Sequence, residues 1–412
     1  YAEARRRGLV HGEVGRGTFV AAPTSAPLRP RDPTDPDGPV DLGVNVPLRE
    51  PAADLAAALR ALAARPDLEA RAGYGAPAGD PDVRAAGATW LAELGVRVPA
   101  ERVVVCNGAQ HAVDVALGAL AGPGELVLAE ALTWPGFVAA ARRRGLRVKP
   151  VPVDAEGLDP EAVAAICAEE RPRLLYAQPT LHNPTTARLS PARRERLAAV
   201  ARAHDLLVLV DEVQGGMLED DAPALGALAP DHVLTVAGVS KILSPALRIA
   251  FLAAPAGLVE RVVEGVWSTV WMASPLGAAL AAAWIEDGTA RRVAAARREA
   301  MDARHARARV HLGDALRLRP GSYHGWLDLR RADGDDAAPA PDAAARMAER
   351  LRARGVVVTP ADAFLAAPGA APPALRLALS APPAAASREH GRAAVAAARA
   401  AARAERPRAP RL

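Results

Sequence analysis

Lysine is almost missing from this chain. Of 51 basic residues only Lys149 and Lys241 are lysines, and the rest are arginines. Cysteine is as scarce, with Cys106 and Cys167 the two present. Two thiols in 412 residues cannot build a disulfide framework, so a reducing compartment, the cytoplasm, is the expectation. Charge of one sign is not in excess. The formal net charge is +4 at pH 7, too small to mark the whole chain as a nucleic-acid or membrane binder. No apolar run is long enough to span a bilayer, because Arg, Asp and Glu break the alanine-rich stretches. The first residues are charged and lack the apolar core of a secretion signal. The chain starts at Tyr1 without an initiator methionine and is expected to be a fragment or a processed form.

What is present is ordinary globular material. Hydrophobic residues make up 50% and charged residues 24%, which argues against a mostly disordered chain. The length suits roughly two to three domains. The lysine shortage makes each survivor informative. Arginine replaces lysine on most solvated surfaces. It cannot replace lysine where an amine must lose its proton and attack a carbonyl, because the guanidinium stays charged. Lys149 has no motif around it and reads as a surface residue. Lys241 has a context, described below.

The first 22 residues contain a helical end at Ala2–Arg7 and two strand-like runs, near Leu9–Glu13 and Thr18–Ala21. Glycines 15 and 17 between the runs suit a tight hairpin. Residues 23–40 are rich in Pro and Asp and read as a linker. From residue 41 short apolar runs alternate with helical stretches. The strand candidates are Val103–Cys106, Leu126–Ala129, Arg147–Val153, Leu174–Ala177, Leu207–Val210, Val233–Ala237 and Arg248–Ala253. The helical stretches between them are Ala109–Ala121, Pro135–Arg144, Asp159–Glu170 and Ser190–His204. This alternation predicts an α/β fold, a mostly parallel seven-stranded sheet with helices on both faces. Helices dominate from Gly257 to Leu316. A smaller α+β segment follows, with strands at His324–Leu329, Val356–Thr359 and Leu375–Leu379 and helices at Asp342–Arg354 and Arg388–Arg403.

Several strand ends carry chemistry, and ligands on parallel sheets sit at the carboxyl ends of strands. Val103–Cys106 runs into Asn107-Gly108-Ala109-Gln110, where small residues at a helix start leave N–H groups for an anion. The same glycine also serves plain packing. Leu207–Val210 ends in Asp211, a carboxylate that needs a cation or donor, or that simply caps a turn. Val233–Ala237 leads to Gly238-Val239-Ser240-Lys241, and Arg248 lies seven residues on. An amine there is placed to form a Schiff base with an aldehyde cofactor. Gln178 to Thr186 offers Asn183 in a proline-fixed loop. Arg376 interrupts the leucines of a late strand, facing either a carboxylate ligand or solvent.

Taken in order, these features resemble the fold type I pyridoxal-phosphate (PLP) aminotransferases of class I and II. Tyr74-Gly75-Ala76-Pro77-Ala78-Gly79-Asp80 and Leu132-Thr133-Trp134-Pro135-Gly136 are similar to further segments of that family. The resemblance covers roughly residues 41–404. It implies a large PLP-binding domain over 41–300, a small C-terminal domain over 301–404 and a tail over 405–412. Gly8-Leu9-Val10 and Gly15-Arg16-Gly17-Thr18-Phe19-Val20 resemble the wing of a GntR-type winged-helix domain. A wing remnant over 1–22, a linker and an aminotransferase-like domain resemble the MocR transcriptional regulators. The helix that would read the DNA major groove is not in this sequence.

The resemblance implies a role for each matched residue. Lys241 looks like the lysine bonded to the cofactor aldehyde. Asp211 looks like the partner of the pyridinium nitrogen and Asn183 like the donor to the ring hydroxyl. Trp134 holds the stacking position. Gly108, Ala109, Gln110, Ser240 and Arg248 resemble the phosphate cradle. Tyr74 resembles the tyrosine that reaches the phosphate from a second subunit, which implies a homodimer. Arg376 resembles the residue that binds a substrate α-carboxylate. No metal is implied. The ligands implied are an amino acid or amine and a 2-oxo acid, with DNA bound only through a complete winged-helix domain. The chain departs from the family at Gly238 for Ser, Gln214 for Tyr, Thr186 for Gly and Ala246 for Gly. Two other readings stay open: a free-standing aminotransferase and a non-catalytic scaffold.

Overall fold

The computed structural model describes residues 10–13, 17–20, 39–48, 53–218, 221–332 and 342–381. The expected helices at Ala2–Arg7 and Arg388–Arg403 and most of the linker lie outside them. The first strands, β1 (Val10–Glu13) and β2 (Gly17–Val20), pair antiparallel with Val10 opposite Val20. β3 (Val40–Asp41) follows. The large sheet then takes β4 (Val103–Cys106), β5 (Leu126–Glu130) and β6 (Arg147–Val151). A short ribbon, β7 (Val153–Asp154) with β8 (Gly157–Leu158), leads on to β9 (Leu174–Ala177), β10 (Leu207–Asp211), β11 (Val233–Gly238) and β12 (Ala250–Ala253). The seven strands run in the order β4-β12-β11-β10-β9-β5-β6. Only β12 is antiparallel to its neighbours.

Why strands covered on both faces are mostly apolar is visible in β4. Val103 and Val105 face one side with Trp90 and Phe251, and Val104 and Cys106 face the other with Val113 and Leu117. Both faces are covered by helices, so both faces of this strand are apolar. The helix starts follow local rules. Ser190 and Asp159 cap the helices Pro191–His204 and Pro160–Glu170 by accepting backbone N–H bonds, and each helix opens on proline. The strand expected at Arg248–Ala253 begins at Ala250, because Arg248 has a φ of 51°, outside the extended region.

A 24-residue helix, Thr289–Leu312, crosses to the small sheet. That sheet contains β13 (Leu316–Arg317), β14 (His324–Asp328), β16 (Thr359–Pro360) and β17 (Ala374–Ala378), in the order β13-β14-β17-β16, while β15 (Val356–Val357) pairs with β3. The run expected as one strand at Val356–Thr359 is thus two short strands with different partners. On β17, Leu375 and Leu377 pack with Met347 and Leu351 of helix Ala343–Ala353. Strand alternation turns Arg376 to the opposite face.

One close approach limits the packing between the sheet and its covering helices. A Cβ on Gly87, in helix Pro81–Glu93, would overlap the Phe251 ring. Glycine is a poor helix former, yet it is needed for this contact. Gly87→Ala is expected to destabilise the fold by about 1–3 kcal/mol, despite its better helix propensity, as an earlier unfolding midpoint in urea.

Candidate functional site

The parallel strands end on one side of the large sheet, and the small sheet faces those ends. Between them is a cavity of about 290 Å³. Lys241 reaches it from the turn after β11, Asp211 from the last position of β10, and Asn183 from the loop after β9. Gln110, Trp134, Ser240, Arg248 and Arg376 also line it. Eight of the residues singled out in the sequence therefore meet in one place. Gly108 and Ala109 stand just behind, at the start of helix Ala109–Leu120. Gly108 has a φ of 88°, and a Cβ there would fall 2.5 Å from Arg248 Nη2. The glycine lets the guanidinium lie against the helix start, where free N–H groups and a positive dipole end favour an anion. Tyr74 is not in this cavity. It is 86% exposed, with its ring tilted against Trp271 at 5.3 Å between centroids.

The Lys241 ammonium donates to the backbone oxygen of Asn45. Burial lowers its pKa to about 8, Arg376 and Arg248 add to the effect, and Asp211 opposes it. A sizeable fraction of the amine is therefore neutral, and nucleophilic, near physiological pH. The loop that carries Lys241 is pinned from below. Arg297 of the long helix, 2% exposed, donates to the Lys241 oxygen at 3.0 Å and to the Leu243 oxygen at 3.2 Å. The Tyr323 hydroxyl donates to the same Lys241 oxygen.

Asp211 accepts from the Tyr176 hydroxyl at 2.6 Å and from the Val213 N–H at 2.9 Å. Burial raises its pKa, while these two bonds and Lys241 pull it down. Tyr176 stacks on Phe137 at 4.3 Å, which fixes the direction of its hydroxyl. Arg376 is 2% exposed, lies 4.8 Å above the Phe364 ring, and donates to Asn183 Oδ1 at 2.9 Å and to the Gly43 oxygen. Burial brings its pKa down to about 9, so it stays charged at neutral pH. The inward orientation of Arg376 is settled, and the solvent-facing alternative is excluded.

The sequence reading did not single out Tyr176, Arg297, Gly43 or Asn45. A tyrosine inside the buried strand Leu-Leu-Tyr-Ala was a usable signal, since its hydroxyl needs a partner. Arg297 sits in a run of arginines on a helix, and nothing in the run marks it out. The cavity residues still offer unused hydrogen-bonding atoms. Ser240 Oγ, Gln214 Oε1, Asn45 Oδ1 and Arg376 Nε are buried without a partner among the described residues. Chemically the cavity combines an amine that can lose its proton, a carboxylate, an anion seat and a guanidinium beside a flat aromatic wall. Among the described residues no cluster of His, Cys, Asp and Glu could hold a metal ion.

The chain is similar to known proteins of two kinds, regulators and aminotransferases. An uncharacterised HTH-type transcriptional regulator of Bacillus subtilis, YdeF, is 27% identical over 276 residues, 67% of this chain and 60% of that protein. The 2-aminoadipate transaminase of Thermus thermophilus is 32% identical over 197 residues, 46% of this chain and 48% of that protein. The chain thus spans 48% and 60% of the length of these two curated relatives. The crystal structure of LysN, an alpha-aminoadipate aminotransferase from Thermus thermophilus complexed with N-(5'-phosphopyridoxyl)-L-leucine, superposes with a TM-score of 0.75 at 26% identity, covering 89% of this chain and 92% of that one. Residues 37–393 match the family Aminotransferase class I and II. With that match and this fold, the chain belongs to the class I and II aminotransferases, fold type I.

Proposed function

We propose that this chain is a PLP-dependent, aminotransferase-like domain that binds an amino acid or related amine, and that it serves within a MocR-type transcriptional regulator as a cytoplasmic homodimer. One observation carries the reading: a lysine amine with its pKa lowered to about 8 shares a cavity with Asp211, Arg248 and Arg376. The residues fit the cofactor. The unpartnered Ser240 Oγ and the glycine-backed Arg248 suit a phosphate, and Trp134 offers a ring face. Asn183 has its Oδ1 taken by Arg376, which leaves its amide nitrogen to donate to a ring hydroxyl. Asp211 accepts a ring N–H, and the Tyr176 hydroxyl holds it in position.

When bound, PLP supplies an aldehyde that takes up an amino group and a protonated ring that draws electrons from the adjacent carbon. The protein's own groups do the rest. Lys241 Nζ is the amine for the aldehyde and the base that moves the α-proton. Arg376 orients the ligand by its α-carboxylate and replaces the Gly43 oxygen with a stronger acceptor. The Gln214, Gly238, Thr186 and Ala246 departures leave these groups in place. Amino acids and 2-oxo acids are accordingly the ligand classes. The regulator part of the reading draws on the name of YdeF and on the β1–β2 hairpin, which suits a winged-helix wing.

Sodium borohydride is expected to fix the cofactor on Lys241, read by peptide mass. A label on Lys149, or capture by Lys241→Ala, would overturn the assignment. The neutral amine is the reactive form, so cofactor capture by the cofactor-free protein should speed up as pH rises and level off above about 8.

The second subunit is supported by an exposed aromatic face. Tyr74, Trp267 and Trp271 are 86%, 51% and 47% exposed, and the two tryptophan rings lie 6.1 Å apart. Such a face is costly in water and suits a second copy that places its Tyr74 on the phosphate. Sedimentation at micromolar concentration is expected to give a dimer. Tyr74→Phe should weaken cofactor retention by about 1.5–3 kcal/mol. A monomer that retains PLP fully would refute the shared site.

The test that separates regulator from enzyme is a salt-titrated DNA-binding assay beside single-turnover amino-group transfer. The present chain is expected to bind DNA weakly and without sequence preference. A longer form carrying a complete winged-helix domain should bind specifically and respond to PLP or an amine. Rapid transfer with no DNA binding by the longer form would instead favour a free-standing aminotransferase, as the Thermus transaminase similarity suggests.

A further inference from the structure

Asn45 stands on the segment that leaves β3 and crosses the cavity between Arg376 and Lys241. It is 7% exposed. Its amide orientation is dictated by a histidine. His324 Nε2 lies 3.3 Å from the backbone oxygen of His182. A carbonyl only accepts, so Nε2 carries the proton. Burial, with Arg376 nearby, holds the His324 pKa well below its ordinary value, against the His182 carbonyl bond, so the ring is neutral. His324 Nδ1 is then a bare acceptor, and Asn45 Nδ2 donates to it at 3.0 Å. Flipping the amide would set Oδ1 against Nδ1, acceptor facing acceptor.

Asn45 Oδ1 is therefore locked as an acceptor, and it has no partner among the described residues. Gln214 Oε1, on the same cavity lining, is a second buried oxygen without a partner among the described residues. The charged groups of the lining are Asp211, Lys241, Arg248 and Arg376. Cofactor and α-carboxylate engage all four, so the described lining keeps no cation for a carboxylate on the ligand's side chain. Such a carboxylate would meet amide oxygens instead. An apolar side chain would leave both oxygens buried and unpaired, a lasting penalty. A hydroxyl or amide N–H would satisfy them.

We propose that Asn45, with Gln214, is a specificity-determining residue, and that the site takes amino acids whose side chain carries an uncharged O–H or N–H donor. This rests on the reading that Arg376 holds the α-carboxylate. The step beyond it is the choice among side chains.

The experiment follows the change in cofactor absorption as isosteric probe pairs are titrated into the PLP-loaded protein. The pairs are L-serine with L-2-aminobutyrate, L-homoserine with L-norvaline, and L-glutamine with L-glutamate. The donor member of at least one pair is expected to bind about tenfold or more tightly, as sites built around a substrate donor discriminate. Asn45→Leu should bring that ratio towards one. His324→Phe removes the ring nitrogen that holds the Asn45 amide in one orientation and should likewise bring the ratio towards one, which covers the case in which the leucine variant does not fold. If wild type binds both members of every pair equally, or prefers the member without the donor, while Arg376→Ala weakens all of them, the Asn45 proposal is overturned and the carboxylate reading stands. If Arg376→Ala binds every probe as well as wild type does, the carboxylate reading fails, and the Asn45 proposal falls with it.

Discussion

An amine buried beside guanidinium groups gives up its proton more readily than one in water, and that electrostatic constraint shapes the site around Lys241. Burial withdraws solvation from the ammonium. Arg376 and Arg248 add repulsion, and Asp211 returns only part of the loss, leaving the pKa at about 8. Holding such a group needs a rigid frame, because each cation would otherwise turn to solvent. Arg297 and Tyr323 hold the backbone that carries Lys241. Asn183, the Gly43 oxygen and the Phe364 ring hold Arg376. The charged groups stay close because their partners are mostly backbone oxygens and a neutral amide, which cannot be lost by titration.

The frame is the sheet. Parallel neighbours β9, β10 and β11 end on one side, so the loops after them converge without long excursions. The register sets finer detail. Tyr176 pairs with Leu209, two residues before Asp211, and its hydroxyl reaches along the strand to the Asp211 carboxylate. On the other side of the cavity, β17 pairs with β14 and β16, which places Arg376 between Trp326 and Thr359. Two sheets with separate cores thus meet at one cavity, the large one supplying Asp211, Lys241 and Arg248 and the small one Arg376. The segment 39–48 joins them, since β3 pairs with β15 while Leu48 packs in the core of the large sheet.

Much of this was legible in the residues. Mostly apolar runs of four to six residues between helical stretches identified six of the seven strands, because a strand covered on both faces has few polar positions to disguise it, while β6, at one edge of the sheet, carries Arg147 and Lys149. Lys241 stood out through the scarcity of lysine. Asp211 stood out as a carboxylate at the end of a buried strand. Other features left no trace. Arg297 is one of many arginines on its helix, and only the crossing of that helix under the Lys241 loop gives it a role. Asn45 lies in an irregular segment whose partner, His324, is distant in sequence. Tyr74 carried a motif, yet it stands on the outer surface, away from the cavity of its own chain.

Local chemistry decided the elements. Proline after a capping Ser or Asp starts helices, glycine permits the Gly108 turn, and β-branched runs make strands, each through interactions within a few residues. The sequence by itself therefore determined the strand-and-helix alternation, the residues at the strand ends and the one lysine that stands in a motif. Only the tertiary structure decided which way Arg376 faces, how far the Lys241 pKa falls, and that Asn45 offers an oxygen with its nitrogen already taken. Those properties depend on distance and solvent exclusion between groups far apart in the chain, and neither exists until the two sheets have packed around the cavity.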